Sequence, residues 1–286
     1  MIELLAESEQ RRLRECAPQA ARDFHDSVLA IYGSSAATNG LPEHIGSCVL
    51  LDIDGTPVVA TAAHIADKII SGTTLFVAGP ARPQLVPILG GDIKTTIPPS
   101  GDRKLDHSDS AFWRMPDEVV QSLGATNFLG TSRLAHNRAP IERRYYTALG
   151  YAVSRNDPGI DHHQRSIASV PSMYTSTAGL EPTLERKLRR KLRSSGDEHI
   201  FVRYSKEAHA ADGATMKTFY PEGFSGGALL DLGDFTTFAI YAGETRQRAR
   251  LAAMIIEYHE KKYRALVAVK IGPIVSGIRS ALPRAS

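Results

Sequence analysis

The sequence predicts a mainly β protein, a sandwich or barrel of many short strands, with a helical segment at each end and one strongly basic helix inserted. Three observations carry this. Short runs rich in Val, Ile, Leu, Tyr and Phe recur along the chain, most of them bounded by turn residues. The 16 prolines and 23 glycines are spread rather than clustered, which suits many elements joined by tight turns. The close spacing of the strands argues against strand–helix–strand units and a parallel sheet.

Residues 1–24 read as helical: Leu4, Leu5, the charged EQRRLRE stretch and the segment after Pro18 follow a 3.6-residue spacing, with Pro18 opening a second helix. The pattern changes after Asp26. SVLAIYG (27–33) is short and rich in β-formers, and in GSCVLLDIDGTPVVATAAHI (46–65) two apolar runs flank Asp54-Gly55, a dipeptide suited to a tight hairpin. Further expected strands are TLFVAG (74–79), QLVPIL (84–89), SAFWRM (110–115), YYTALGYAV (145–153) and IASVPSM (167–173). HIFVRY (199–204), GALLDL (227–232), TTFAIYA (236–242), LAAMIIEY (251–258) and ALVAVKI (265–271) complete the set. LEPTLERKLRRKLRSS (180–195) and GPIVSGIRSAL (272–282) read as helices, the second beginning just after Pro273. A boundary between two lobes falls near the polar stretch 130–142.

At 286 residues the chain can bury a substantial core, as one large unit or two small lobes. A hydrophobic fraction of 42% and a charged fraction of 23% are ordinary for a globular protein. The net charge of +3 is too small to announce a nucleic-acid binder. Two cysteines, Cys16 and Cys48, favour a reducing compartment over a disulfide framework. Glu3 and Glu7 interrupt the apolar stretch that a signal peptide needs, and the longest apolar run, Leu251–Ile256, is far short of the ~20 residues of a membrane span. A soluble, cytoplasmic protein without a membrane partner is the expectation.

The strongest chemical signal is Gly223-Phe224-Ser225-Gly226-Gly227. Glycines on both sides of a serine let the backbone turn so that the hydroxyl projects and successive N–H groups converge, as a developing oxyanion requires. The bland alternative is a glycine-rich turn with an incidental serine. The second signal is Thr61-Ala62-Ala63-His64, a histidine closing a strand behind small residues. Alone it reads as an ordinary buried histidine. The third is Asp109-Ser110-Ala111-Phe112, a carboxylate at a strand entrance; Asp106, nearby, reads as a turn or solvent residue.

Together the three mean more. A serine hydroxyl is a poor nucleophile until a base takes its proton, and the base needs a carboxylate to orient it. In the order His–Asp–Ser, with TAAH, DSAF and GFSGG as its motifs, the chain resembles the trypsin-like serine peptidase family, in particular its cytoplasmic bacterial branch. The likeness extends over about two thirds of the chain, through GSCVLLDIDGTPVVATAAHI, YPEGFSGGALL and LAAMIIEY to the C-terminal helix. It implies two packed six-stranded β-barrels of the chymotrypsin type. A 1–24 helical extension would precede a peptidase domain over 25–286, with a first barrel about 25–135 and a second about 136–286. It also implies a triad of His64, Asp109 and Ser225, with an oxyanion hole from the N–H groups of Gly223 and Ser225. No cofactor and no metal is called for.

The chain also departs from the family. Secreted members carry an aspartate before the catalytic serine to pair with a freed N-terminal amine; Phe224 stands there, so no such activation is expected. Ile65 follows His64, and Cys48 has no nearby mate, which leaves Cys48 as a small buried apolar residue or, alternatively, a reactive thiol. Six positions before the serine, where the trypsin branch binds basic side chains with an aspartate, stands Phe219. The segment Ile256–His259 is the expected substrate-pairing strand, with Glu257 and Tyr258 as further substrate-binding candidates. In the helix 184–193, Leu184, Leu188 and Leu192 form an apolar stripe, and Arg186, Lys187, Arg189, Arg190, Lys191 and Arg193 cover the rest. It is either a solvated face or a docking surface for an acidic substrate, a partner or nucleic acid. Asp161-His162-His163 reads as a polar loop rather than a metal site, and no phosphate-binding glycine loop is present.

The resemblance implies hydrolysis of peptide bonds in a protein or peptide substrate through an acyl-enzyme, with narrow or partner-gated range, a possible regulatory protein partner and a role in signalling or defence. Two other readings use the same residues: a non-catalytic protease-like scaffold that binds a partner through its cleft or basic helix, and an esterase.

Overall fold

A computed structural model describes residues 2–282 apart from 80–81, 89–91, 99, 104–105, 125–126, 136–143, 157–159, 162–165, 178, 195–197, 210–213 and 235–248. The first half runs α1 (Ile2–Phe24), β1 (Val28–Ser34), β2 (Glu43–Ile53), β3 (Thr56–Ala62), α2 (Ala63–Ile70), β4 (Thr74–Gly79), β5 (Arg82–Pro87), β6 (Lys94–Thr95), β7 (Ser110–Arg114) and α3 (Asp117–Leu123). Then come β8 (Arg144–Gly150), α4 (Val153–Asn156), β9 (Ile160–Asp161), β10 (Ser166–Ile167), β11 (Ser172–Thr177), α5 (Pro182–Lys191) and β12 (His199–Arg203). The chain ends with β13 (Glu207–His209), β14 (Thr215–Lys217), β15 (Ala228–Asp234), β16 (Arg250–His259), β17 (Ala265–Lys270) and a last helix, α6 (Ile271–Ala281).

Two sheets dominate. One has the order β6-β7-β3-β2-β1-β4-β5-β10-β9, the other β11-β8-β15-β16-β17-β12, and β13–β14 is a separate hairpin. The expected hairpin forms: Asp54 (φ 54°) and Gly55 (φ 81°) join β2 to β3 in a two-residue turn. Arg279 of α6 clips that turn, donating to both carboxylate oxygens of Asp54 at 2.8 and 2.9 Å. The second sheet has six strands. The first has nine, because the two-residue strands β9 and β10 add to its β5 edge and the two-residue β6 to its β7 edge.

Period-two burial explains why the strands read as unbroken apolar runs. Along β1, Val28, Ala30 and Tyr32 enter one apolar cluster, while Leu29 and Ile31 enter another. Along β17, Ala265, Val267 and Val269 join the first cluster, and Leu266 and Ala268 a third. Both faces of these strands are buried, so neither face needs polar residues. The shared cluster takes side chains from both sheets, from α1 (Ala17, Ala20, Phe24) and from α6 (Ile271, Ile274, Val275, Ile278), and it joins the sheets into one molecule. The other two clusters fill the two sheets separately: aliphatic residues with Trp113 in one, an aromatic group around Tyr204 in the other.

Four local expectations are corrected. α1 is one helix that runs through Pro18. The ring removes a single helical N–H, while Ala17 (4% exposed) and Ala20 (2%) stay buried against the core and hold the helix continuous. Residues 167–173 do not form one strand. The buried Asn156 side chain donates to Val170 O (3.0 Å) and accepts from Val170 N (2.7 Å), taking the bonds a neighbouring strand would need. α6 starts at Ile271 rather than after Pro273, which sits in its first turn where an N–H has no helical acceptor. The helix α3 was not expected; its cue is Pro116 followed by Asp117 and Glu118, acids in the first turn of a short helix. The expected strand 236–242 lies outside the described residues, and among those described no helix is long and apolar enough to cross a membrane.

Phe24 is fully buried, with the Arg133 guanidinium 4.3 Å from its ring centroid. Phe24→Ala should cost about 3–5 kcal/mol in urea denaturation. An unchanged midpoint would mean that α1 is an appendage rather than part of the core.

Candidate active site

His64 does not close a strand. β3 ends at Ala62, and His64 is the second residue of α2. The turn into the helix is held by Asp109: its carbonyl accepts the Ala63 N–H (2.9 Å) and its Oδ1 the His64 N–H (3.0 Å), work usually done by a capping side chain. Its other oxygen, Oδ2, is 2.6 Å from His64 Nδ1. Asp109 adopts φ 30°, a left-handed conformation that these bonds to α2 stabilise against its strain. The His64 side chain is 40% exposed and that of Asp109 14%, so the imidazole faces the open side of the pair.

A second network fixes this corner. Arg103 donates from Nε and Nη2 to the two oxygens of Asp67 (2.8 and 2.9 Å), three residues beyond His64, and from Nη1 to Asp106 (2.5 Å), three before Asp109. Asp106 is therefore no solvent residue: its side chain is only 4% exposed and also accepts from Thr96 Oγ1 (2.6 Å). The direct bonds to Asp67, ahead of those to Asp106, hold the Arg103 guanidinium above its ordinary pKa. The sequence shows no motif for this triplet, because its members meet only across loops.

The Pro221–Gly227 loop carries Ser225. Gly223 has φ 91° and lies so close to Tyr151 O that a Cβ would sit 2.5 Å from it; at Gly226 (φ 85°) a Cβ would be 1.9 Å from Ser47 O. Both positions therefore require glycine. Phe224 N–H reaches Pro221 O (3.1 Å), Gly226 N–H reaches Ile255 O (2.7 Å) and Gly227 N–H reaches Phe224 O (2.8 Å). Among the described residues the N–H groups of Gly223 and Ser225 meet no acceptor. The Ser225 hydroxyl donates to Ile256 O (3.0 Å), and no hydrogen bond joins it to His64. The structure thus pairs His64 with Asp109 and sets Ser225 on the carbonyl of β16.

Sequence reasoning missed Ser47, a fully buried residue of β2 that docks the serine loop onto the first sheet. Its N–H donates to Ser225 O (2.8 Å) and its hydroxyl to Gly223 O (2.8 Å). The hydroxyl accepts from Tyr151 N (3.0 Å), and Ser47 O accepts from Thr61 Oγ1 (2.7 Å), three residues before His64. The only signals were a serine inside GSCVLL and the threonine of TAAH.

The three specificity candidates separate. Phe219 and Tyr258 both pack on Tyr204, at ring distances of 6.2 and 5.3 Å, and Phe219 also meets Phe224 at 5.1 Å. Glu257 instead accepts from His259 Nε2 (2.8 Å). Phe224 is 1% exposed in this aromatic group, with no place for an ammonium partner. Cys48 is fully buried, and burial pushes its thiol up to about 12, which disfavours the reactive-thiol reading. Among the described residues no cluster of three or more His, Cys, Asp or Glu is arranged for a metal; His162 and His163 lie outside them.

His44 packs against this loop, its Cε1 2.6 Å from where a Gly223 Cβ would be and its ring 5.4 Å from Tyr32. Both ring nitrogens are buried without a hydrogen-bond partner. Burial lowers its pKa from 6.5 to about 4; the nearby Gly46 backbone opposes that shift and, less strongly, the Lys68 ammonium adds to it. The unfolded chain therefore takes up a proton first as pH falls. Stability that is full above pH ~6.5 should drain by about 3 kcal/mol between pH ~6.5 and ~4 and level off below. Urea titrations across that range check it: His44→Leu should flatten the loss, and an equal slope in the variant would remove His44 as its source.

The sequence matches no protein-family model and no curated protein. Solved structures with a similar fold include the thermostable serine protease AL20 from an extremophilic microorganism, 12% identical, covering 88% of this chain and 94% of that one, with a TM-score of 0.49. The serine endoprotease from Yersinia pestis is 14% identical over 92% of this chain and 65% of its own, with a TM-score of 0.50. Protease Anisep from Arthrobacter nicotinovorans is 12% identical over 88% and 93%, also at 0.50. The chain has the chymotrypsin-like two-barrel fold.

Proposed function

We propose that the chain is an intracellular serine endopeptidase that cleaves peptide bonds through an acyl-enzyme on His64, Asp109 and Ser225. The observation that carries this is the 2.6 Å contact between His64 Nδ1 and Asp109 Oδ2 in a chymotrypsin-like fold whose GFSGG loop leaves the Gly223 and Ser225 N–H groups unbonded. Asp109 orients the ring, Nε2 takes the Ser225 proton, and the serine oxygen attacks the carbonyl carbon of the substrate. The carbonyl oxygen becomes an oxyanion received by the two free N–H groups. His64 then returns the proton to the leaving amine, and water repeats the sequence to release the acyl group.

Ser225 must first leave Ile256 O. A substrate strand pairing antiparallel with the end of β16 would present its own N–H to that carbonyl and release the hydroxyl to rotate toward His64. Substrate binding then assembles the nucleophile, which suits an enzyme that must stay restrained among cellular proteins. The 25–286 span is the peptidase unit, and α1 is an extension packed onto it. A regulatory partner and a signalling or defence role fit such restraint.

The resting Ser225–Ile256 bond is also what favours the second reading, a protease-like scaffold that binds without cleaving. A peptidyl phosphonate probe, whose peptide part can pair with β16 and free the Ser225 hydroxyl, separates the two. Labelling at Ser225, abolished by His64→Ala and slowed about 10⁴-fold by Asp109→Asn, is the expected result; a wild-type protein that takes no label is a scaffold.

For specificity, Phe224, the residue before Ser225, packs on Phe219 in an aromatic group with Tyr204 and Tyr258, which is the proposed pocket wall, and Glu257 is occupied by His259. Cleavage after apolar residues should exceed cleavage after Arg or Lys by at least tenfold in kcat/KM across a fluorogenic peptide library. The reverse order would reject this wall as the pocket.

A further inference from the structure

The basic helix is anchored on one side and unsatisfied on the other. Leu188 is fully buried, and Glu181 caps the first turn by accepting from Thr183 N (2.9 Å) and Leu184 N (3.0 Å). Arg189 turns inward, donating to Glu185 (2.8 Å) with its guanidinium 4.8 Å from the Phe201 ring centroid. Arg186, Lys187, Arg190 and Lys191 face solvent, as does Arg193 just beyond α5. The turn between β16 and β17 adds the exposed Lys261, Lys262 and Arg264. The two segments meet where Lys191 Nζ donates to His259 Nδ1 (3.1 Å), and His259 in turn donates to Glu257 (2.8 Å). Among the described residues none of these eight cations is paired with a carboxylate.

A charge run on a helix is usually just a solvated face. This one differs in where it lies. β16 runs from Ile256, whose carbonyl holds Ser225, to His259, three residues and about 10 Å further at ~3.3 Å per residue. A substrate antiparallel to β16 runs backward from the cut as β16 runs forward. Its residues on the N-terminal side therefore arrive at the basic face.

We propose that α5 and the β16–β17 turn dock an acidic stretch of the protein substrate, about four or more residues N-terminal to the cut. The inference rests on the peptidase reading above. Eight positive charges without a carboxylate partner select a negative segment and speed its encounter, and they place it in line with the strand that receives the scissile bond. A peptide fits better than a nucleic acid. The face continues a peptide-pairing strand, and the neighbouring rings are engaged with one another, Tyr204 with Phe219 and the half-exposed Tyr220 edge-to-face with Tyr258, beside the Glu260 carboxylate that would repel a phosphate backbone.

The test uses the full chain carrying Ser225→Ala, so that binding is read without turnover. Fluorescence anisotropy compares labelled peptides of eight glutamates and of eight glutamines with a 12-nucleotide single-stranded DNA. The glutamate peptide should bind at least tenfold tighter than the glutamine peptide at ~50 mM salt, with the gap closing at ~500 mM. Lys187→Glu with Arg190→Glu should weaken it at least tenfold at unchanged melting temperature; Lys187→Gln with Arg190→Gln should give a smaller loss. In the active enzyme, four glutamates added upstream of a cleaved sequence should raise kcat/KM at least fivefold, through KM. Equal binding of the two peptides, indifference to the charge reversal, or tighter binding of the DNA to the same residues would overturn the proposal. Tight glutamate binding in a protein that takes no peptidyl phosphonate would keep the docking face and discard the peptidase reading instead.

Discussion

The architecture of the site depends on one buried serine. Ser47 lies on the first sheet, yet three of its four hydrogen bonds go to Gly223, Ser225 and Tyr151 of the second half of the chain. The fourth goes to Thr61, on the strand that leads into His64. A buried N–H or carbonyl left without its partner costs about 1–3 kcal/mol, so the loop, the strand and the sheet interface are held to one arrangement together. Glycine at 223 and 226 is the steric counterpart of the same constraint, because only a residue without Cβ lets the serine loop come this close.

Around that junction the polar groups fall into two tiers. Asp109 both caps α2 and meets the His64 ring, so the position of the helix and the orientation of the imidazole are set by one carboxylate. Arg103 then ties Asp67 on that helix to Asp106 on the Asp109 loop. A guanidinium suits this role, since its planar fork engages one carboxylate with two donors and reaches a second with the third nitrogen. In the proposed chemistry this rigidity serves orientation, while the one mobile part, the Ser225 hydroxyl, waits on Ile256.

In the proposed reading, recognition is divided spatially. Phe224, the residue before the serine, belongs to an aromatic group with Phe219, Tyr204 and Tyr258. Further along β16 the surface turns basic, and the change happens at the Glu257–His259–Lys191 chain. Short-range apolar contact near the cut and long-range charge upstream of it are different physical selectors. An apolar pocket alone discriminates weakly, and a charged approach adds rate and register to it.

Much of this is legible in the sequence. Apolar runs separated by turn residues marked most of the strands, because burial on both faces leaves a signal that needs no knowledge of partners. Asp54-Gly55 marked its hairpin, and the glycines of GFSGG marked a loop under steric demand, because backbone conformation is a local property. Single-residue pairings were not legible. That Asn156 would replace a strand partner for Val170, that Asp106 would be buried, and that Ser47 would join the sheets all depend on groups far apart in the chain. Chemistry-bearing residue types and local backbone needs are written in the order of amino acids. Which carboxylate meets which cation, and which carbonyl the serine rests on, arise only when separate segments are brought within a few ångströms, where hydrogen bonding acts.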